Sequence, residues 1–437
     1  MKKLFLLALV ALMFIPLSIM AQQVTLNVLW YVDATQAGYA EDQAIRQRFE
    51  EDNPNIKMVF EELFSEPYHE KLAAYIAAGQ VPDIMYLWPS MRSSSALIHE
   101  KKLVKDLAPL LGKDFLANFV APALNVNAQA SKMLAELPQS ITYTTVMYTN
   151  KKLLADLGIA LPKAYADLKA MVPRLRAKGI QTVLIPDGDK WPMQSCLFST
   201  IVGRLLGDPW MDSTIAGKTK FTDAGFVNAL TFVQSMFNDG VINWSNMQQP
   251  YGDGPGLFAS GKAAFFVDGD WRQGAFVTDK ASGQALIPPE KQATDFAFLN
   301  FPAIPGEKNP GVVSAIVGVG YGISADIPAG SAKEKAAVSF IKYLYSPEVQ
   351  QIRLETGAFI PTRKNVTSDM LEPFTKMMPQ YYASIAKTCY VIDGVLDPGV
   401  NDWVNNGLQE IGLGAKTPAL VAADIQKAMA AYLAKKK

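Results

Sequence analysis

The chain has 437 residues, 49% hydrophobic, 10% aromatic and 19% charged, enough for two domains with filled cores at roughly 100–200 residues each. Its 41 basic residues balance 41 acidic ones, so there is no electrostatic footprint for nucleic acid. That composition excludes a disordered chain, a disulfide scaffold and a polytopic membrane protein. Two histidines, His69 and His99, and two cysteines, Cys196 and Cys389, leave little for a zinc site.

The N-terminus reads as an address. Lys2 and Lys3 precede an apolar run from Leu4 to Leu17, and Ser18-Ile19-Met20-Ala21 ends in a small residue. That is the pattern of a cleavable secretory signal peptide over residues 1–21, too short to span a bilayer. Its removal leaves 39 basic against 41 acidic residues, a net charge of −2. No cysteine lies near the cleavage site, so a lipid anchor is not expected, and the mature protein is placed in the periplasm. In that oxidising compartment Cys196 and Cys389 either pair or remain two buried thiols.

Val24, Leu26, Val28 and Trp30 alternate with other residues at period two, which predicts a strand. Ile45 and Phe49 lie one turn apart in a predicted helix over 41–51, which Asn53-Pro54 stops. Ile56, Met58 and Phe60 mark a second strand. Pro67 opens a helix with Leu72 and Ile76 on its buried stripe, and Gly79 closes it. Asp83 to Trp88 is a short, buried strand. This strand–helix alternation predicts a parallel sheet, whose ligands sit beyond the carboxyl ends of the strands. Those ends are Tyr31 to Thr35, Glu61-Glu62 and Trp88 to Ser90.

Further on, Ile141 to Tyr148 reads as one strand, and Asn150 caps a helix ending at Gly158. Leu168, Val172 and Leu175 belong to a helix that Pro173 kinks or delays. Gln181 to Pro186 is a strand, followed by the polar loop Asp187 to Trp191. Phe226, Leu230, Val233 and Phe237 mark a helix closed by Gly240. Ala263 to Val267 is a strand leading into Asp268-Gly-Asp-Trp271. Phe296 to Phe301 and Val312 to Ile323 are strands, Glu334 to Leu344 is helical, and a last helix carries Val421, Ile425 and Met429.

Gly318-Val-Gly320-Tyr-Gly322 lacks the spacing of a dinucleotide loop and reads as a close-packed strand. Glu61 with Glu62, or Asp268 with Asp270, are the candidate carboxylate pairs of a glycoside hydrolase. Adjacent strand residues point to opposite faces, which weakens the first pair. No calcium loop, metal site or nucleophile elbow is complete. Trp88, Trp191 and Trp271 each follow a predicted strand beside Pro, Gly or Asp, and Asp270 adjoins Trp271. Loop aromatics beside carboxylates suit carbohydrate, because ring faces stack on C–H faces and carboxylates accept from hydroxyls.

Several stretches together carry a resemblance. They are Phe49-Glu-Glu-Asp-Asn-Pro-Asn-Ile56, Leu72-Ala-Ala-Tyr-Ile-Ala-Ala-Gly-Gln-Val-Pro-Asp-Ile84 and Tyr148-Thr-Asn-Lys-Lys-Leu-Leu154. Phe258-Ala-Ser-Gly-Lys-Ala-Ala-Phe-Phe266 with Gly269-Asp-Trp271, and Phe301-Pro-Ala-Ile-Pro-Gly306, complete the set. In this order and spacing the chain resembles family 1 extracellular solute-binding proteins of ABC transporters, the maltose-binding-protein-like sugar receptors. The resemblance implies an α/β, two-lobed periplasmic-binding-protein fold of type II-like form, with a ligand cleft between hinged lobes. One lobe would hold residues 22–138 plus about 297–345, the other about 139–296 plus 346–437. It implies a sugar as ligand, a membrane permease as partner, no cofactor, no metal and a monomer. The cleft positions it suggests are Asp33, Glu62, Trp88, Ser90, Tyr143, Trp191, Trp271 and Trp403, with Asp270 beside Trp271. No Arg or Asp follows Ser90 as in the family, so the polar contacts do not carry over. A secreted glycoside hydrolase, or a receptor for a polyamine or phosphorylated polyol, are the alternatives. On the signal-peptide reading, exported protein begins near Gln22; mass spectrometry showing residues 1–21 still attached would overturn that.

Overall fold

The computed structural model describes residues 23–36, 38–88, 98, 101–120, 124, 133–385 and 387–435. Ser90 and the signal segment lie outside them. The first strands form as the alternation predicts. β1 (Val24–Tyr31) pairs in parallel with β2 (Ile56–Leu63) and with β3 (Ile84–Leu87). The helix Tyr39–Asp52 buries Ile45 and Phe49 against them, and also Arg46. Pro67 sits in the first turn of the helix Glu66–Ala77, and Gly79 follows it with φ +69°, a left-handed terminus that favours glycine.

The sheet is not parallel throughout. β9 (Val313–Ile323) runs antiparallel to β3, and β4 (Leu137–Tyr143) runs antiparallel to β9. β10 (Thr388–Cys389) pairs in parallel with the start of β9. A chain that returns to the sheet late, from the other lobe, enters from the opposite end, so β9 reverses the direction. A second sheet has the order β6-β7-β5-β8: β6 (Gln181–Leu184), β7 (Ala263–Asp268), β5 (Val146–Asn150) and β8 (Phe296–Leu299). Leu26, Trp30, Leu72, Tyr321 and Phe340 belong to the first lobe's core, and Leu168, Phe198, Phe226, Phe265 and Ile425 to the second's.

Three expectations need correction. The single strand predicted over 141–148 is two, β4 and β5, separated at Thr144 and Thr145, where the chain leaves one sheet for the other. Pro173 does not delay its helix, which runs Tyr165–Arg176 with the Asp167 carboxylate accepting from the Lys163 and Ala164 amides at its start. The lobe crossings also fall later than expected. β8 pairs with β5, and Phe301 and Ile304 pack in the second core, so the chain returns to the first lobe only along β9. Likewise Val349, in the helix Pro347–Glu355, still packs in the first core.

Cys196 and Cys389 are both buried free thiols. The Gly318–Gly322 run lies within β9. A Cβ on Gly320 would sit 1.7 Å from the Leu137 carbonyl oxygen, and one on Gly322 would sit 2.7 Å from that of Ala135. Glycine there lets two backbones approach closely. Gly320→Ala is therefore expected to cost about 3 kcal/mol by overpacking, a fall in Tm of roughly 6–12 °C; an unchanged melting curve would contradict the close approach.

Candidate functional site

A cavity of about 250 Å³ lies between the lobes, a little below the usual range for ligand pockets of roughly 300–1,000 Å³. The first lobe contributes an aromatic wall. Tyr31 leaves β1 at its carboxyl end and stacks on Tyr86 of β3, with ring centroids 5.3 Å apart and planes 7° apart. Trp88, just past β3, stands edge-on to both, 5.0 Å from Tyr31 and 4.9 Å from Tyr86, and His69 packs 4.5 Å from it. The second lobe supplies Trp191, Trp271 and Tyr251. Trp191 meets the Tyr251 ring edge-on at 4.6 Å and lies 6.1 Å from the Trp271 ring with the planes tilted by 45°. Thr142, Thr144, Ile316, Val319 and Tyr321, from around the β4–β9 pair, also line the cavity.

Local chemistry delivers these rings. Asp187, buried in the loop after β6, accepts from the Met193 amide at 2.8 Å, which fixes the turn that carries Trp191. Gly269 does not provide a left-handed turn, because its φ is −77°. Its role is close approach: a Cβ there would lie 2.0 Å from the Trp271 ring. At the mouth, the Ser65 hydroxyl of the first lobe reaches Asp189 of the second at 3.4 Å. Ser65 and Lys190, beside this contact, both hold positive φ, 54° and 69°. Such backbone costs of order 1–3 kcal/mol and persists only where the surroundings hold it.

Two of the carboxylates that line the cavity, Asp42 and Asp270, have several polar partners. Asp42 accepts from the Trp30 indole at 2.8 Å and pairs with Arg46 at 3.0 Å and Arg353 at 3.1 Å. Asp270 is buried, with no cationic partner among the described residues; its Oδ2 accepts from the Tyr143 amide at 3.0 Å and the Tyr382 hydroxyl at 2.7 Å. Burial pushes its carboxyl up to about 7, against the pull of those donors and of the Trp271 amide.

Of the residues singled out from sequence, Asp33, Trp88, Trp191, Asp270 and Trp271 line this cavity. Glu62 does not. It accepts from the Tyr39 hydroxyl at 2.5 Å and pairs with Arg46 at 2.6 Å, so it supports Tyr39, which is on the wall. Burial alone would raise the Glu62 carboxyl, but the Tyr39 hydroxyl and Arg46 outweigh it and hold it below its ordinary value. Tyr143 stands behind the wall, its ring 4.6 Å from that of Tyr382. Trp403 lies outside the cavity: it is 45% exposed on the helix Pro398–Gly412, with the Lys416 ammonium 6.0 Å from its ring. Helical periodicity turns it to solvent. Ser90 is outside the described residues.

Several wall residues had no place among the sequence candidates. Tyr86 looked like a strand core residue, and only its position near the carboxyl end of β3 hinted otherwise. Tyr251 and Arg353 belong to none of the quoted motifs, and tertiary packing brings them in. Among the described residues no group of three or more His, Cys, Asp or Glu side chains could hold a metal ion.

The model of the family described as bacterial extracellular solute-binding protein matches residues 32–351. A multiple sugar-binding protein of Streptococcus mutans is 22% identical over 342 residues, 75% of this chain and 74% of that protein. An uncharacterized ABC transporter extracellular-binding protein of Pyrococcus horikoshii is 23% identical over 242 residues, 55% of this chain; the match spans about half of that protein's length, 49%. Among solved structures, a chitin oligosaccharide binding protein superposes with a TM-score of 0.81 at 22% identity, covering 93% of this chain and 98% of that one.

Asp270 makes stability depend on pH. Its folded pKa of about 7 lies above the unfolded value of about 3.9. The folded state therefore binds more protons between those values, and stability falls as pH rises from about 4 to about 7. Asp270→Asn removes that slope. Urea midpoints at pH 4.5 and 7.5 should show wild type losing ground to the variant at the higher pH; parallel profiles would refute the assignment.

Proposed function

We propose that this chain, which belongs to the bacterial extracellular solute-binding proteins, is a carbohydrate receptor that hands its ligand to the permease of an ABC transporter. The observation that carries this reading is the pair of aromatic walls, Tyr31 with Trp88 and Trp191 with Trp271, on opposite lobes of one cavity. Such walls suit the C–H faces of a pyranose ring, and Asp33, Gln139, Ser140, Thr142, Thr144 and Asp270 offer partners to its hydroxyls. A volume of about 250 Å³ suits a small sugar better than a long oligosaccharide. The Streptococcus and chitin-oligosaccharide proteins are, by their names, sugar binders, which agrees with this reading.

No chemical step is needed. Glu61 is paired with Lys71 and Tyr75, and Glu62 with Arg46 and Tyr39, on opposite sides of β2. Asp268 is committed to Arg272 at 2.8 Å. These contacts leave neither carboxylate pair arranged as acid and base across a sugar. Release and capture then follow from hinge motion, with contacts to both lobes favouring the closed state. A phosphorylated polyol fits poorly, because Arg353 on the wall already pairs with Asp42. Carboxylates at Asp33, Glu66 and Asp270 keep a polyamine as the second reading.

A thermal-shift panel of maltose, xylobiose, chitobiose, galactose and spermidine separates these. A ligand at 100 times its Kd adds about 2.7 kcal/mol to stability, so at least one sugar should raise Tm clearly. A rise with spermidine alone would replace the sugar reading. Trp271→Ala should leave the protein folded and weaken the responding sugar about five- to hundred-fold, the range of about 1–3 kcal/mol for an interface anchor; a folded variant with unchanged affinity would remove Trp271 from the site.

A further inference from the structure

We infer that Tyr251 is a positioning residue whose hydroxyl aims the Trp271 indole into the cleft and so sets sugar affinity; this rests on the receptor reading above. Tyr251 reaches the cavity from the short helical turn Tyr251–Asp253, 20 residues before Trp271, and is 3% exposed. Its hydroxyl accepts from the Trp271 indole Nε1 at 2.6 Å and stands 3.1 Å from Asp268 Oδ1, to which it donates. A hydroxyl has one proton to give. With that proton committed to Asp268, the oxygen lone pairs face the indole N–H, so the direction of the bond is set.

Asp268 is itself held. Arg272 Nε donates to its Oδ2 at 2.8 Å, and the Gly269 amide donates to Oδ1 at 2.7 Å. The Arg272 guanidinium also lies 4.1 Å over the Tyr251 ring, an attraction between cation and π face. The Tyr251 ring also meets Trp191 edge-on. Both tryptophans of the second wall therefore touch one tyrosine. The Trp271 ring is pinned from two sides, by the bare backbone of Gly269 and by this single hydrogen bond. Without the hydroxyl the indole N–H has no acceptor from Tyr251, and the ring gains freedom that a ligand must then remove.

The test is a double-mutant cycle with Tyr251→Phe, Trp271→Phe and the pair. Phenylalanine at 251 keeps the packing on Trp191 and Arg272 and deletes only the hydroxyl. Two readouts are taken. Acrylamide quenching of ligand-free protein, with the Trp271 emission defined by difference from Trp271→Phe, reports the ring's exposure. Titration with maltose, xylobiose and chitobiose reports affinity. Tyr251→Phe should make the Trp271 emission more quenchable and weaken the tightest of these sugars about five- to ten-fold, while adding nothing in the Trp271→Phe background. Unchanged quenching, or a loss that simply adds to that of Trp271→Phe, would overturn the inference. If none of the sugars binds wild type, the receptor reading fails, and the quenching comparison still decides whether Tyr251 positions Trp271.

Discussion

Antiparallel pairing of β4 with β9 is the constraint from which the cleft hangs. These strands cross from lobe to lobe side by side, with Tyr143 opposite Ala315 and Leu137 opposite Tyr321. Their backbones come close enough at Gly320 that no larger residue fits. Where they leave the first sheet, hydroxyls of Thr144, Thr145, Thr200 and Ser314 bond to one another within 2.6–3.0 Å. The crossing is thus buried and polar, with its donors satisfied locally. Thr142, Thr144, Ile316, Val319 and Tyr321, on or beside this pair, line the cavity between the two aromatic walls.

Charge within the lobes then fixes aromatic rings near the cavity. Asp42 gathers the Trp30 indole, Arg46 and Arg353 around one carboxylate, and Arg46 lies 4.6 Å over the Phe60 ring. In the second lobe, Asp268 and Arg272 do the same for Tyr251 and through it for Trp271. Buried ion pairs add little net stability, since desolvation consumes most of the attraction. Their effect here is directional: each one holds an aromatic ring in a fixed attitude. Asp270 differs in having no cation paired with it among the described residues, and burial raises its carboxyl.

Much of the fold was legible before any tertiary contact. Period-two alternation marks β1 and β2, the i to i+4 spacing of Ile45 and Phe49 marks the first helix, and Gly79 and Gly240 end helices with left-handed backbone. Part of the cavity lining was legible too, because Trp88, Trp191 and Trp271 all follow strands, and all three line the cavity. Which way a residue faces was not legible, and Glu62 and Trp403 do not line the cavity. Glu62 sits at the right strand end but turns to Arg46 and Tyr39. Trp403 has the right composition around it but lies on the solvent side of a helix.

From the order of its residues alone, the chain determined its local elements, the strand ends that open toward the cavity and the family pattern that matches residues 32–351. Those properties depend on neighbours within a turn or a strand, so periodicity reports them. Only the tertiary structure decided the rest. It split 137–150 into two strands, reversed β9 within the first sheet, left both thiols free and brought Tyr251 between Trp191 and Trp271. Each of these is a contact between segments far apart in sequence. Such contacts follow from how whole sheets and helices pack, and no short window of sequence contains that information.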